Sequence, residues 1–367
     1  MKYKIKEVCK RITSGGTPSR KNNDFYKNGT IYWIKTQELT NGNIYSAEES
    51  ITEEALNNSS AKLLPIDTVS IAMYGATAGN LGILKVPAAT NQACANMITN
   101  ENLINYQYFF YYLLANKEKL LNLAIGAAQQ NLSLETISNY EIDIHYIEEQ
   151  QHIVNILGSI DDKIENNERK IAKTKELMAH LYENISLSNE CVKIGDLTSE
   201  IKERLDDRTA KAFSVINSGE LVQQDFYFDR QIHSKDMYKY KVIRKYDFAY
   251  NPSRINIGSI AMFEHDFGSV SPIYIAFSCD KKYSYYINEF IKTEQFNKEI
   301  CLRANGSVRQ SVNYDVFVEI EIPLPDENKL IKYNNEYAIL QENIDSLKNE
   351  NTKLNKLKNL YLKKFFG

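Results

Sequence analysis

The sequence predicts an α+β protein: two α/β domains related by a pseudo-twofold and separated by two long antiparallel coiled-coil helices. Three observations predict it. Two long runs carry apolar residues at alternating four- and three-residue steps, and β-prone segments with polar turns precede each run. Features of the first half also return in the second roughly 180 residues later, too long a period for a solenoid unit and better read as a duplicated domain plus connector. Apolar residues recurring every 3.5 positions make a narrow seam that only another helix covers.

Residues 1–146 read as the first domain. Thr13–Pro18 is a turn cluster, and Ile31–Ile34 and Val69–Tyr74 are β-prone. Asn105 to Leu121 reads as a helix with an aromatic stripe for the core, and Glu141–Ile147 alternates like a half-buried strand. Residues 147–186 form the first long helix, with Glu148 and Glu149 at its first turn, where the macrodipole favours acid. Its seam is Ile153, Leu157, Ile160, Ile164, Asn167, Ile171, Thr174, Met178, Leu181 and Ile185, a span of roughly 50 Å at about 1.5 Å per residue.

Residues 187–325 repeat the plan with Cys191–Ile194, Phe248–Tyr250, Ile273–Phe277, a helical Tyr283–Ile300 and Val318–Pro323. Residues 326–367 form the second long helix, seamed by Leu330, Tyr333, Tyr337, Leu340, Ile344, Leu347, Asn351 and Leu354. Asn167 and Asn351 place an amide in each seam, a device that fixes register at a cost in stability. Tyr74 and Gly82 match Tyr250 and Gly258 at an offset of 176 (250 − 74). Gly126 and Gln130 match Gly306 and Gln310 at 180 (306 − 126), as Asp67 matches Asp247.

With 367 residues, 43% hydrophobic and 25% charged, the chain has room for two cores. No apolar run reaches the roughly 18 residues of a membrane span, and the polar N-terminus is unlike a signal peptide. Five scattered cysteines without a CxxC pair argue against disulfides or a zinc site and for the cytoplasm. A net charge of −3 lends no global support to nucleic-acid binding, so local basic clusters decide.

Catalytic motifs are not found. Tyr74–Gly82 contains no phosphate-binding GxxxxGK[ST], and His145, His152, His180, His233 and His265 lack metal-ligand spacing. Tyr250–Ser253 lacks the second proline and aromatic of an amino-methyltransferase loop, and Pro325–Lys329 crowds together carboxylates that a nuclease would separate. The chain is therefore expected to bind no metal or cofactor. What remains are amide-rich turns at matching places, Gln129-Gln130-Asn131 and Asn305 through Arg309-Gln310, with Ser307 between them. Such amides can contact adenine, and Arg guanine, in the major groove, while Thr17, Ser19, Arg20, Lys21, Arg254 and Arg303 can hold phosphates.

The sequence resembles the specificity (S) subunit of type I restriction–modification systems. The resemblance runs through Ser14–Ser19, Ile31–Ile34 with Lys35–Leu39, Met73–Gly79, Thr90–Gln92, Gln129–Leu132 and Glu149–Gln150. It continues in Ser271–Tyr274 and in Gly306–Gln310 leading to Ile322–Pro325. It implies two target-recognition domains that each read half of a split DNA target, separated by a coiled coil on which two methyltransferase subunits dock and which restriction subunits can join. S-adenosylmethionine, ATP and Mg would be used by those partners. In and beside these segments, Lys35, Thr36, Gln37, Tyr74, Thr77, Asn80, Asn91 and Gln92 are candidate DNA contacts, with Tyr250, Asn251 and Asn256 in the second domain.

Three positions depart from that pattern: Tyr32 replaces a proline, Thr198–Lys202 replaces the Ser-Gly-Gly-Thr-Pro opening, and Asp326–Ile331 lacks the Glu-Gln pair. The halves are thus expected to read different half-sites, giving an asymmetric target with an unread gap. The alternatives are an S-like subunit of a fused or type II bipartite system, a coiled-coil scaffold binding proteins, and a self-sufficient enzyme.

Overall fold

The computed structural model describes residues 1–123, 131–185, 187–227, 237–305 and 311–367. The chain divides into two compact units, Met1–Asn167 with Asn349–Gly367, and Glu168–Lys348. The helices Ile147–Asn184 and Glu327–Phe366 each contribute to both.

In the first unit a five-stranded sheet runs Cys9–Ser14, Cys94–Thr99, Val69–Ala72, Leu81–Leu84 and Gly42–Ile44, antiparallel except for the last pair. A three-stranded sheet places Ile31–Ile34 between Ser50–Ile51 and Ala88–Thr90. Val69–Ala72 is buried along its whole length, including Ser70, whose hydroxyl donates to Asn96 Oδ1 at 2.7 Å. The helix Tyr106–Ala115 begins where the Asn105 side chain accepts from the Gln107 and Tyr108 amides, capping it. Tyr108, Phe109, Phe110, Tyr111 and Tyr112 are buried in the core, as the aromatic stripe predicts. Leu362 and Phe366 enter the same core, with Phe366 edge-on to Tyr108 and Tyr112 at 5.3 and 5.6 Å.

The long helices pair antiparallel inside this unit. Lys358 meets Asp161 at 2.7 Å and Glu350 meets Lys163 at 3.4 Å, so one number falls as the other rises. Asn167 is buried and its Nδ2 donates to Asn351 Oδ1 and Glu350 Oε2, both at 2.8 Å. The two seam amides therefore bond to each other, which penalises any shift in register. Ile153, Leu157 and Ile160 are buried, and Ile164 and Leu354 half-buried.

The second unit holds two four-stranded sheets. One orders Thr198–Glu200, Ile275–Cys279, Phe248–Tyr250 and Ile260–Met262; the other orders Glu220–Gln223, Ala212–Ile216, Phe267–Val270 and Lys241–Arg244. The helices Lys281–Phe290 and Glu294–Asn305 fill the predicted Tyr283–Ile300 region, broken by a turn at Ile291–Thr293. Met178, Leu330, Tyr333, Tyr337 and Ile344 are buried in its core, and Ile171, Leu181 and Leu340 pack against it half-buried, while Leu347 is half-buried.

The duplication is real, and its offset is close to the expected 180 and not the 176 read from Tyr74 and Tyr250. Ile71 pairs with Leu81 as Tyr250 pairs with Ile260, an offset of 179 (250 − 71). Left-handed residues agree, since Asp67 (φ 64°) corresponds to Tyr246 (φ 77°) and Gly79 (φ 79°) to Gly258 (φ 88°). The backbone bond Leu132 N to Met73 O likewise returns as Val312 N to Pro252 O, at 2.9 and 3.0 Å. Turn geometry, which needs positive φ at fixed places, repeats more faithfully than the letters do.

Candidate nucleic-acid interface

In the first unit, three of the singled-out segments meet. Gly15 N donates to Cys94 O at 3.0 Å, Gly16 N to Thr90 O at 2.9 Å, and Asn91 N to Ile34 O at 2.9 Å. A Cβ on Gly15 would lie 2.2 Å from Asn91 O, and one on Gly16 2.2 Å from the Ser60 carbonyl carbon, so only glycine fits this crossing. The Thr17 hydroxyl donates to Gln92 Oε1, joining the two loop tips. Met73 N bonds Ala93 O and Leu132 N bonds Met73 O, which brings Tyr74 and Asn131 beside Gln92. Ser19, Lys21, Gln37, Tyr74, Gln92 and Asn131 are exposed, and Thr17, Thr36, Thr77, Asn80 and Asn91 partly so. Asn80 accepts from Lys117 Nζ at 2.8 Å, and Asn91 Oδ1 accepts from the Cys94 thiol at 3.2 Å.

Three candidates have other work. Arg20 makes a two-pronged bond to Glu49 (2.6 and 3.1 Å) and lies 4.3 Å over Tyr26 and 4.9 Å over Trp33. Trp33 Nε1 in turn donates to Gly16 O at 2.9 Å, so this stack braces the glycine loop. Lys35 Nζ meets Glu48 at 2.9 Å and Glu49 at 3.1 Å, and hydrogen bonds, first from Arg20, hold the Glu49 carboxyl below its ordinary range. Charges neutralised in this way offer little to a phosphate. Arg303 is paired with Glu299 and donates to Glu319 O at 3.1 Å, fastening a helix end to the following chain.

The largest correction is Tyr250. It is 0% exposed, lies 5.1 Å from Phe317 in a stacked pair, and cannot reach a duplex. The hairpin register makes it the counterpart of buried Ile71 and not of Tyr74, which is 42% exposed. Asn251, Arg254 and Asn256 remain accessible on the loop that follows. Gln129, Gln130, Ser307, Arg309 and Gln310, and His233, lie outside the described residues, as does the side chain of Asn305.

That second-unit loop forms one wall of a cleft of about 900 Å³. Ser214, the hairpin tip Asn217–Ser218 and Gln224 line it too, with Tyr240 and Tyr274 supplying apolar lining. Gln224 Nε2 donates to Ser214 Oγ at 2.7 Å and Phe213 O at 3.3 Å. Gln224 was not a sequence candidate, because nothing in Leu221–Gln224 signals that long-range sheet pairing buries it.

No group of three or more His, Cys, Asp or Glu that could hold a metal occurs among the described residues, and no helix there is long and apolar enough to cross a membrane. His180 pairs with Glu183 on an exposed helix face, and His145 accepts or donates a 2.7 Å bond with Tyr108.

Residues 1–176 match the family described as "Type I restriction modification DNA specificity domain". The EcoR124I/EcoR124II specificity subunit of Escherichia coli is 29% identical over 174 residues, covering 46% of this chain and 43% of that protein. The MjaIX specificity subunit of Methanocaldococcus jannaschii is 27% identical over 239 residues, 62% of this chain and 54% of that protein. The matches thus span about half the length of those curated relatives. The crystal structure of the type I restriction–modification S subunit from M. genitalium shares the fold, with a TM-score of 0.59 and 15% identity, covering 100% of this chain and 96% of that one.

Proposed function

We propose that this chain belongs to the type I restriction–modification specificity-subunit family and is the sequence-reading subunit of such a complex. Each unit reads one half of a split DNA target. The observation that carries this reading is the repeated cluster of loop tips: Thr17, Gln92, Tyr74 and Asn131 in the first unit, Asn251, Arg254 and Asn256 in the second. Exposed amides and hydroxyls on loops fixed by sheet hydrogen bonds can read base edges, while scattered cations such as Lys21 and Arg254 set register on phosphates.

The two clusters are built from different residues, which supports an asymmetric target. Two helices of fixed length, each contributing to both units, support an unread gap whose length they set. Adenine methylation with S-adenosylmethionine, and ATP- and Mg-dependent cleavage where restriction subunits join, belong to partner subunits. Two methyltransferase subunits are the expected partners, and the chain itself is a non-catalytic reader.

Modification-sensitive genome sequencing with and without the gene tests the reading. A two-part motif methylated only in its presence supports it; an identical methylome, with no sequence-selective DNA retention by the assembled complex, overturns it and favours a protein-binding scaffold.

A further inference from the structure

We propose that the second-unit cleft receives a single nucleotide, with Gln224 Oε1 accepting from the exocyclic amine of its base and Arg254 meeting its phosphate. This rests on the reading of the chain as a DNA-sequence reader and names a residue and a chemistry for one position of one half-site.

The argument begins at Gln224, which is 4% exposed. Its Nε2 faces two acceptors, Ser214 Oγ and Phe213 O, so the amide orientation is settled by its partners: reversed, it would set oxygen against a carbonyl. Its Oε1 is buried and has no partner among the described residues. A buried acceptor left without a donor costs about 1–3 kcal/mol. The same atom becomes a selective contact once a ligand brings an N–H, because a ligand lacking it leaves the cost in place.

The cleft that Gln224 lines, about 900 Å³, falls in the usual range of small-ligand pockets. It has apolar lining from Tyr240 and Tyr274 suited to a base, and polar groups at Asn217 and Ser218. Arg254 lines it too and is exposed; its backbone bonds Asn251, Ile257 and Ser259, while its guanidinium has no hydrogen-bond or ion-pair partner among the described residues. This contrasts with Arg20, Lys35 and Arg303, each committed to a carboxylate. An acceptor-only oxygen within and an unpaired guanidinium suit adenine, cytosine or guanine nucleotides, which present an exocyclic amine; thymine has none and could offer only its ring N3–H.

Two sources share that chemistry: a residue drawn out of the DNA stack, and a free mononucleotide. The test uses the full chain in its methyltransferase complex on the motif found by genome sequencing. At each position of both half-sites the exocyclic amine is deleted, by purine for adenine, hypoxanthine for guanine or 2-pyrimidinone for cytosine. The wild type is expected to lose about tenfold in affinity at one position of one half-site, the size of an acceptor left unsatisfied. Gln224→Met should be indifferent to the amine at that position alone, and Arg254→Gln should weaken binding equally for every base there.

Separate titrations of the chain with AMP, CMP, GMP and TMP distinguish the source. Amine-dependent binding of free nucleotides with a flat DNA scan assigns the cleft to a mononucleotide. Selective DNA binding with the same pattern in wild type and Gln224→Met, and no amine-dependent nucleotide binding, overturns the inference and leaves the DNA-reading function standing. Absence of selective DNA binding overturns that function instead. The wild-type scan stands even if Gln224→Met fails to fold.

Discussion

Replacing Tyr250 by phenylalanine separates a core residue from a DNA contact. The ring is fully buried against Phe317, Phe277 and their neighbours, while the hydroxyl has no partner among the described residues. Burial also drives its phenol far above the ordinary range for titration. An unsatisfied buried hydroxyl costs about 1–3 kcal/mol, and deleting it forfeits packing worth about 0.1–0.2 kcal/mol per lost atom contact. The net expectation is a gain of about 1 kcal/mol, or about 2–4 °C in Tm for a unit of this size. Urea unfolding with fluorescence detection reads the gain, and the methylated motif should not change. A loss of stability, or a change in either half-site, would show that the hydroxyl is used and that the residue's placement in the core is misread.

Asp247 supplies a pH prediction. Burial lifts its carboxyl from 3.8 to about 6, against the opposing 2.6 Å bond from the Arg244 amide. The folded state therefore binds this proton more tightly, so its contribution is favourable at low pH and is lost as pH rises from about 4 to about 6. Relative to Asp247→Asn, the wild type should lose about 3 kcal/mol over that window, at about 1.4 kcal/mol per pK unit. Parallel slopes of unfolding free energy against pH would contradict this. Asn167→Leu with Asn351→Leu removes a seam amide whose Oδ1 is buried without a partner among the described residues, and should raise stability by about 1–3 kcal/mol while permitting shifted helix registers. Unfolding curves and cysteine cross-linking along the helices check both halves of that claim. Inserting one heptad in each long helix, about 10 Å, should lengthen the preferred gap or abolish binding without altering the half-sites; unchanged spacing refutes the ruler. Affinity should also fall with salt, log K declining by about 0.9 per phosphate neutralised for each unit of log salt.

Much of the fold was legible because it rests on local periodicity. The seams from Ile153 to Leu354, the aromatic helix at Tyr108–Tyr112 and the buried strand at Val69 all announce themselves within a dozen residues. The candidate site was legible only in part. Arg20 sits far along the chain from Glu49 and Trp33, and only sheet pairing of Ile31–Ile34 with Ser50–Ile51 brings them together. Tyr250 was mistaken for the partner of Tyr74 because matching letters were aligned, whereas the duplication is kept by its left-handed turns at Asp67 and Gly79, Tyr246 and Gly258. Gln224 could not be seen at all, since an amide's burial depends on which strands close over it.

The most direct measurement replaces residues 1–146 by the corresponding domain of a known specificity subunit and sequences the methylome of cells carrying the hybrid. Independent reading by two tandem units predicts that one half of the motif changes while the other half and the gap persist. A motif that stays whole, or one whose other half or gap also changes, would contradict it.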